Sequence, residues 1–179
     1  VFYGTSILQG GCANRPGMAH TNIISRRLNR EIVNLGFSGN ALLDYEIAEV
    51  MSSVDAGVYV LDFVPNASSD QIYEKMETFY RILRDKHPRT PIIFIEDPVF
   101  THALFDKKIA IEINKKNKAV NSVFKSLKTK GEKNIYMISS EKMLGEDGEA
   151  TVDGIHFTDL GMMRYADLVC PVIKKVLKK

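Results

Sequence analysis

The chain has 179 residues, 45% of them apolar and 26% charged, with a formal net charge of +2. Those values describe one soluble globular domain, long enough to bury a core without disulfide staples. They exclude a membrane span, because no apolar run approaches the roughly 18 residues a bilayer crossing needs. They also argue against a nucleic-acid surface, since the charge is small and the basic residues are not interleaved with aromatics.

Val1–Gly4 reads as a strand. A chain that opens inside a strand is expected to be a fragment of a longer protein, or a mature domain from which upstream residues are missing. The expected helix Thr21–Leu28 follows, then a strand over Glu31–Leu35 and a helix over Leu42–Ser52. Val58–Phe63 is the third strand. Ser69 or Asp70 can cap a helix that runs to Lys86 before Pro88 stops it, with Ile72, Met76, Phe79, Tyr80 and Leu83 forming its buried stripe. Pro91–Glu96 is the fourth strand. The helix Lys107–Lys128 buries Ile109, Ile113, Val120, Val123, Phe124 and Leu127, and its lysines read as a solvated face. Ile135–Ile138 is the fifth strand, and a last helix from about Asp159 to Leu177 should be bent or interrupted by Pro171.

Short apolar runs alternating with longer amphipathic segments predict a three-layer α/β/α sandwich around a five-stranded parallel, flavodoxin-like sheet. Strand order 2-1-3-4-5 is expected, in one domain over residues 1–179, with ligands bound beyond the carboxyl ends of the strands. Cys12 and Cys170 do not make a disulfide framework.

Four short stretches fall at that edge and carry chemistry. Gly4-Thr5-Ser6 follows the first strand and offers a hydroxyl nucleophile, which needs a neighbouring base to take its proton. Asp153-Gly154-Ile155-His156 precedes the last helix and offers that base, with Asp153 one turn away to fix the imidazole tautomer. Gly39, from Gly36-Phe37-Ser38-Gly39-Asn40, can present an open amide. Asn66, from Val64-Pro65-Asn66, can present a side-chain donor; with the Ser6 amide these suit a developing oxyanion. Each stretch alone is also ordinary turn chemistry. Ser38 competes as nucleophile but lacks the glycine two residues later that a nucleophile elbow requires.

Arg15, His20, Asp97 and Phe100 are candidates for substrate binding, with His20 and His102 placed on loops that could rim the pocket. His87 precedes Pro88 and reads as a helix-end residue. No metal-ligand spacing joins the histidines to Cys12 or to each other, so no metal and no cofactor are expected.

Taken in order, Gly4-Thr5-Ser6, Gly39, Asn66 and Asp153-x-x-His156 resemble the four signature blocks of the SGNH hydrolases, also called GDSL-type esterases. That resemblance implies the SGNH hydrolase fold, with Ser6 as nucleophile, His156 as base, Asp153 as its orienter, and Ser6, Gly39 and Asn66 as the oxyanion hole. It implies a serine esterase acting on small acyl, mainly acetyl, esters, with saccharide esters as the expected substrates. Two blocks depart from the usual pattern: Gly-Thr-Ser stands for Gly-Asp-Ser, and Val-Pro-Asn for Gly-x-Asn-Asp.

Tyr3-Gly4-Thr5-Ser6-Ile7 followed by Arg15-Pro16-Gly17-Met18 is similar to a carbohydrate-directed subgroup from gut and soil bacteria. That similarity implies a β-rich domain upstream and a periplasmic or extracellular location. The alternatives are a catalytically silent carbohydrate- or anion-binding domain on the same scaffold, and a flavodoxin-like phosphate-binding module. The second lacks the Gly-rich loop it would need after the first strand.

Overall fold

The computed structural model describes residues 1–178. Five parallel strands, β1 (Phe2–Gly4), β2 (Asn34–Gly36), β3 (Tyr59–Asp62), β4 (Ile92–Ile95) and β5 (Ile135–Ile138), form one sheet in the order β2-β1-β3-β4-β5. The expected sheet and its strand order are therefore found.

Alternate residues of these strands build two cores, because successive side chains point to opposite faces. Phe2, Val60, Ile93, Ile95 and Ile138 meet α1 (Ser6–Gln9), α2 (His20–Leu28) and α6 (Asp159–Val176). Tyr3, Tyr59, Leu61, Ile92, Phe94 and Ile135 meet α3 (Tyr45–Ser52), α4 (Ser69–Lys86) and α5 (Lys107–Thr129). Burial on both faces is why β3 and β4 are continuous apolar runs in the sequence. At the edge of the sheet β2 is partly exposed and starts three residues later than expected; Val33 still accepts a ladder bond from the Phe2 amide at 2.9 Å.

The helices differ from expectation at their ends, each for a local reason. α3 begins at Tyr45 because Leu43 takes a left-handed backbone (φ +60°), its amide donating to the Tyr3 hydroxyl at 2.9 Å. α4 is capped by Ser68 rather than Ser69 or Asp70. Its hydroxyl accepts from the Gln71 amide at 3.2 Å while the Gln71 side chain accepts from the Ser68 amide at 2.9 Å, a reciprocal capping box. Pro171 does not interrupt α6. It lies on the exposed face, where the Asp167 carbonyl that loses its donor can be hydrated. Cys12 is exposed, Cys170 is buried, and both are free thiols. Among the described residues no helix is long and apolar enough to cross a membrane.

His20 corrects a second expectation. It is not on a pocket-rimming loop but opens α2, fully buried, with its ring 4.4 Å from that of Tyr165 and neither ring nitrogen bonded. Burial lowers its pKa from 6.5 to about 3. The folded chain thus keeps His20 neutral, whereas the unfolded chain takes up a proton below 6.5. Stability is fully present above that value and is lost as pH falls toward 3. Between about pH 7 and about pH 5 the loss is on the order of 2 kcal/mol. His20→Leu should therefore raise the melting temperature by about 5 °C at about pH 5 and by less at about pH 8; equal gains at the two would refute the argument. Asp62, also buried, titrates the opposite way. Desolvation raises it to about 7, the Tyr165 hydroxyl offsetting part of this, so its contribution is lost as pH rises through 7. The comparison is for that reason made between variant and parent at each pH.

Candidate active site

The first candidate group, Ser6, is positioned by the residue before it. Thr5 is buried, and its hydroxyl caps α1 by accepting from the Ile7 amide at 3.2 Å. Threonine and aspartate both serve as helix caps, which accounts for Thr5 where the related block has Asp. Ser6 is the first residue of α1, so its amide has no partner within the helix.

His156 and Asp153 lie on a hairpin that returns to this edge of the sheet. Thr151 and Phe157 form an isolated antiparallel bridge, the Val152 amide donates to the His156 carbonyl at 2.8 Å, and the Thr158 amide to the Ala150 carbonyl at 3.0 Å. Gly154 sits at the tip with φ +87°, and the His102 ring packs where a Cβ would stand. That ring belongs to the 3₁₀ turn Thr101–Leu104, whose Thr101 hydroxyl is 3.0 Å from that of Thr151. His102 thus braces the hairpin rather than rimming the pocket.

The hairpin completes a chain of hydrogen bonds. Ser6 Oγ is 2.9 Å from His156 Nε2, and His156 Nδ1 is 2.7 Å from Asp153 Oδ2. The other Asp153 oxygen accepts from the amides of His156 at 2.7 Å and Ile155 at 3.0 Å. Burial raises the Asp153 carboxyl, but the bonds from His156 and Ile155 outweigh it and bring the pKa down to about 2. A hydroxyl, an imidazole and a fixed carboxylate in series can deprotonate the hydroxyl and stabilise the resulting imidazolium.

Gly39 and Asn66 reach the same cleft from the turns after β2 and β3. Gly39 has φ +70° in the Phe37–Asn40 turn, a conformation that favours glycine, and nothing stands within 4 Å of where its Cβ would be. Asn66 is held by its own amide, which donates to the Phe63 carbonyl at 3.0 Å, and by its Oδ1, which accepts from the Ala41 amide at 3.3 Å. Those bonds leave Nδ2 unengaged on a residue that lines the cleft. Ser6, Gly39, Asn66 and His156 all line one cavity of about 470 Å³.

Of the remaining candidates, Asp97 and Phe100 line this cavity and Arg15 and His20 do not. Arg15, exposed and with an extended backbone, precedes the turn Pro16–Met18 and lies outside the lining. Ser38 does line it, but its carbonyl is engaged by Asn40 and no histidine bond reaches its hydroxyl. The sequence reading missed Lys116, assigning it to a solvated face. Its side chain is only 14% exposed, and its ammonium donates to the Pro65 carbonyl at 2.8 Å. Spacing carries the missing signal: Lys116 stands three residues after Ile113 and four before Val120, on the buried stripe of α5. His87 closes α4, its Nε2 2.8 Å from the Ser52 carbonyl, far from this chemistry.

Residues 1–174 match the GDSL-like Lipase/Acylhydrolase family. The chain belongs to that family. Its fold is that of a GDSL-like lipase from Bacteroides ovatus ATCC 8483, with 40% identity and a TM-score of 0.95 over 99% of this chain and 52% of that one. A salicylyl-acyltransferase from a tetracycline biosynthetic pathway shares the fold at 17% identity and TM-score 0.79, over 98% and 53% of the two chains. A family two carbohydrate esterase from Clostridium thermocellum, solved with cellohexaose, shares it at 16% identity and TM-score 0.76, over 99% and 63%. The chain thus spans about half the length of the Bacteroides protein. Comparison with curated proteins gives no match. The site joins the two ends of the domain: the serine opens α1 just after β1, and the histidine lies just before α6.

Proposed function

We propose that this domain is a serine esterase that hydrolyses small acyl esters through an acyl-enzyme. Ser6 Oγ attacks the ester carbonyl while His156 Nε2 takes its proton. The tetrahedral oxyanion is met by the amides of Ser6 and Gly39 and by Asn66 Nδ2. His156 then returns the proton to the departing alcohol, and in the second half of the reaction takes one from the water that releases the acid. Asp153 holds the imidazole in the tautomer with its proton on Nδ1.

The observation that carries this reading is the 2.9 Å contact between Ser6 Oγ and His156 Nε2 in a solvent-open cleft. Family membership supports ester chemistry, and a short acyl group such as acetyl is proposed with it. Saccharide esters are the proposed natural substrates, by likeness to the carbohydrate esterase that shares the fold. A periplasmic or extracellular location suits such a substrate.

A fluorophosphonate probe tests the assignment. Covalent labelling should map to Ser6, should be accompanied by loss of p-nitrophenyl acetate hydrolysis, and should be slowed by a competing acetyl ester. A label found on Ser38, or activity that survives stoichiometric labelling of Ser6, would reject it.

A further inference from the structure

Three charged residues line the cleft beyond the groups assigned to acyl transfer, Asp97, Glu112 and Lys116, and of these Asp97 and Lys116 are paired with each other. Asp97 follows β4 and is clamped by Asn117 of α5. The Asp97 amide donates to Asn117 Oδ1 at 2.7 Å, and Asn117 Nδ2 donates to the Asp97 carbonyl at 3.0 Å. Its carboxyl is 1% exposed, and neither oxygen has a hydrogen-bond partner. Lys116 Nζ stands 3.6 Å from Asp97 Oδ2, an ion-pair separation longer than a normal hydrogen bond, and donates to the Pro65 carbonyl.

The pair therefore holds unused hydrogen-bonding capacity of both kinds. An ammonium has three donors and a carboxylate about four acceptor positions, and buried polar groups are rarely left without partners. Burial raises the Asp97 carboxyl to about 7, with Lys116 pulling against it, and in either protonation state it keeps an acceptor oxygen.

Charge narrows the ligand further. A cation in the cleft would meet Lys116, and an anion would meet Asp97 and Glu112. A neutral group that both donates and accepts satisfies the two together. The hydroxyl is such a group, and neighbouring hydroxyls can donate to Asp97 while accepting from Lys116. Phe100, Ile109 and Ile113 supply apolar wall for the C–H surface of the same molecule.

We propose that Asp97 and Lys116 form a hydroxyl-recognition subsite that holds the alcohol half of a polyol ester, selecting polyhydroxy esters over simple alkyl esters. The subsite rests on the reading of Ser6 as the nucleophile of this cleft.

Glycerol monoacetate and n-propyl acetate share a carbon skeleton and differ in the two free hydroxyls, so the ratio of their kcat/KM values isolates hydroxyl recognition. The ratio should favour glycerol monoacetate in the parent and fall by about tenfold or more in Asp97→Leu and in Lys116→Met. Free glycerol should inhibit the parent competitively and lose potency against Asp97→Leu. Asp97→Asn, which keeps the volume and one acceptor, should show an intermediate ratio and serves if Asp97→Leu fails to fold. A ratio unchanged within about twofold in these variants, even with both rates lowered, would mean that the pair only holds structure, and would overturn the subsite. So would a parent that cleaves propyl acetate with no preference for the polyol ester. A parent that cleaves neither ester and takes no label on Ser6 is a separate result; it removes the esterase reading and the subsite with it.

Discussion

Ser6→Ala is expected to lower kcat for p-nitrophenyl acetate by about a million-fold, leaving a residual rate above that of water. The size follows from what is lost. The alanine variant keeps the amides of residues 6 and 39 and the Asn66 side chain, so a substrate can still bind and polarise. It has no oxygen to form the acyl-enzyme, and His156 can only assist a water from the wrong position. The remaining rate should then show no pre-steady-state burst, because no acyl intermediate accumulates. Substrate binding should change little, since the removed hydroxyl contacts His156 and the change leaves Thr5 and its cap on α1 in place. Thermal melts of the variant serve as the control for folding. A rate within about tenfold of the parent would exclude Ser6 as nucleophile and direct attention to the Ser38 hydroxyl in the same cleft.

Much of the scaffold was legible in the sequence because a buried parallel sheet writes itself as contiguous apolar runs. The expected strand Ile135–Ile138 matches β5 at both ends, and the expected Val58–Phe63 and Pro91–Glu96 overrun β3 (Tyr59–Asp62) and β4 (Ile92–Ile95) by one residue at each end. The edge strand β2 was less legible, since partial exposure dilutes the pattern. Two kinds of residue escaped. Those whose conformation departs from their type, such as Leu43 with φ +60°, shift an element boundary without leaving a compositional mark. Those whose burial contradicts their polarity were misassigned: His20 and Lys116 look solvated by type and are buried by position. The periodicity of α5 could have placed Lys116, while nothing near His20 in sequence announces the Tyr165 ring against which it packs.

The groups of the site were legible by kind and order, and their meeting was not. Ser6 and His156 are 150 residues apart, and only the return of the Ala150–Thr158 hairpin to the end of β1 brings them into contact. That return depends on Gly154, on the His102 ring packed over it, and on the Thr101–Thr151 contact. None of these pairings follows from spacing along the chain.

Asp153→Asn should lower kcat by about ten-thousand-fold while leaving the hairpin intact. The two oxygens of Asp153 do different jobs. Oδ1 accepts the backbone amides of Ile155 and His156, which an asparagine oxygen can still do, so the loop keeps its shape. Oδ2 faces His156 Nδ1 at 2.7 Å, and the amide nitrogen that replaces it is a donor. It would pair with an unprotonated Nδ1 and move the ring proton to Nε2, where it points at Ser6 Oγ and cannot accept the hydroxyl proton. The loss should therefore appear in kcat and in the rate of fluorophosphonate labelling, with a melting temperature close to that of the parent. The pH profile distinguishes tautomer from charge. In the parent Asp153 stays ionised down to about 2, so an acid limb of kcat/KM above that value is not the titration of this carboxyl. Asp153→Ala, which neither donates to nor accepts from Nδ1, should be less damaging than Asp153→Asn if the wrong tautomer is the dominant fault. Equal losses in the two variants, with Asp153→Ala melting like the parent although it lacks the Oδ1 bonds to Ile155 and His156, would instead assign the effect to the missing negative charge beside the imidazolium.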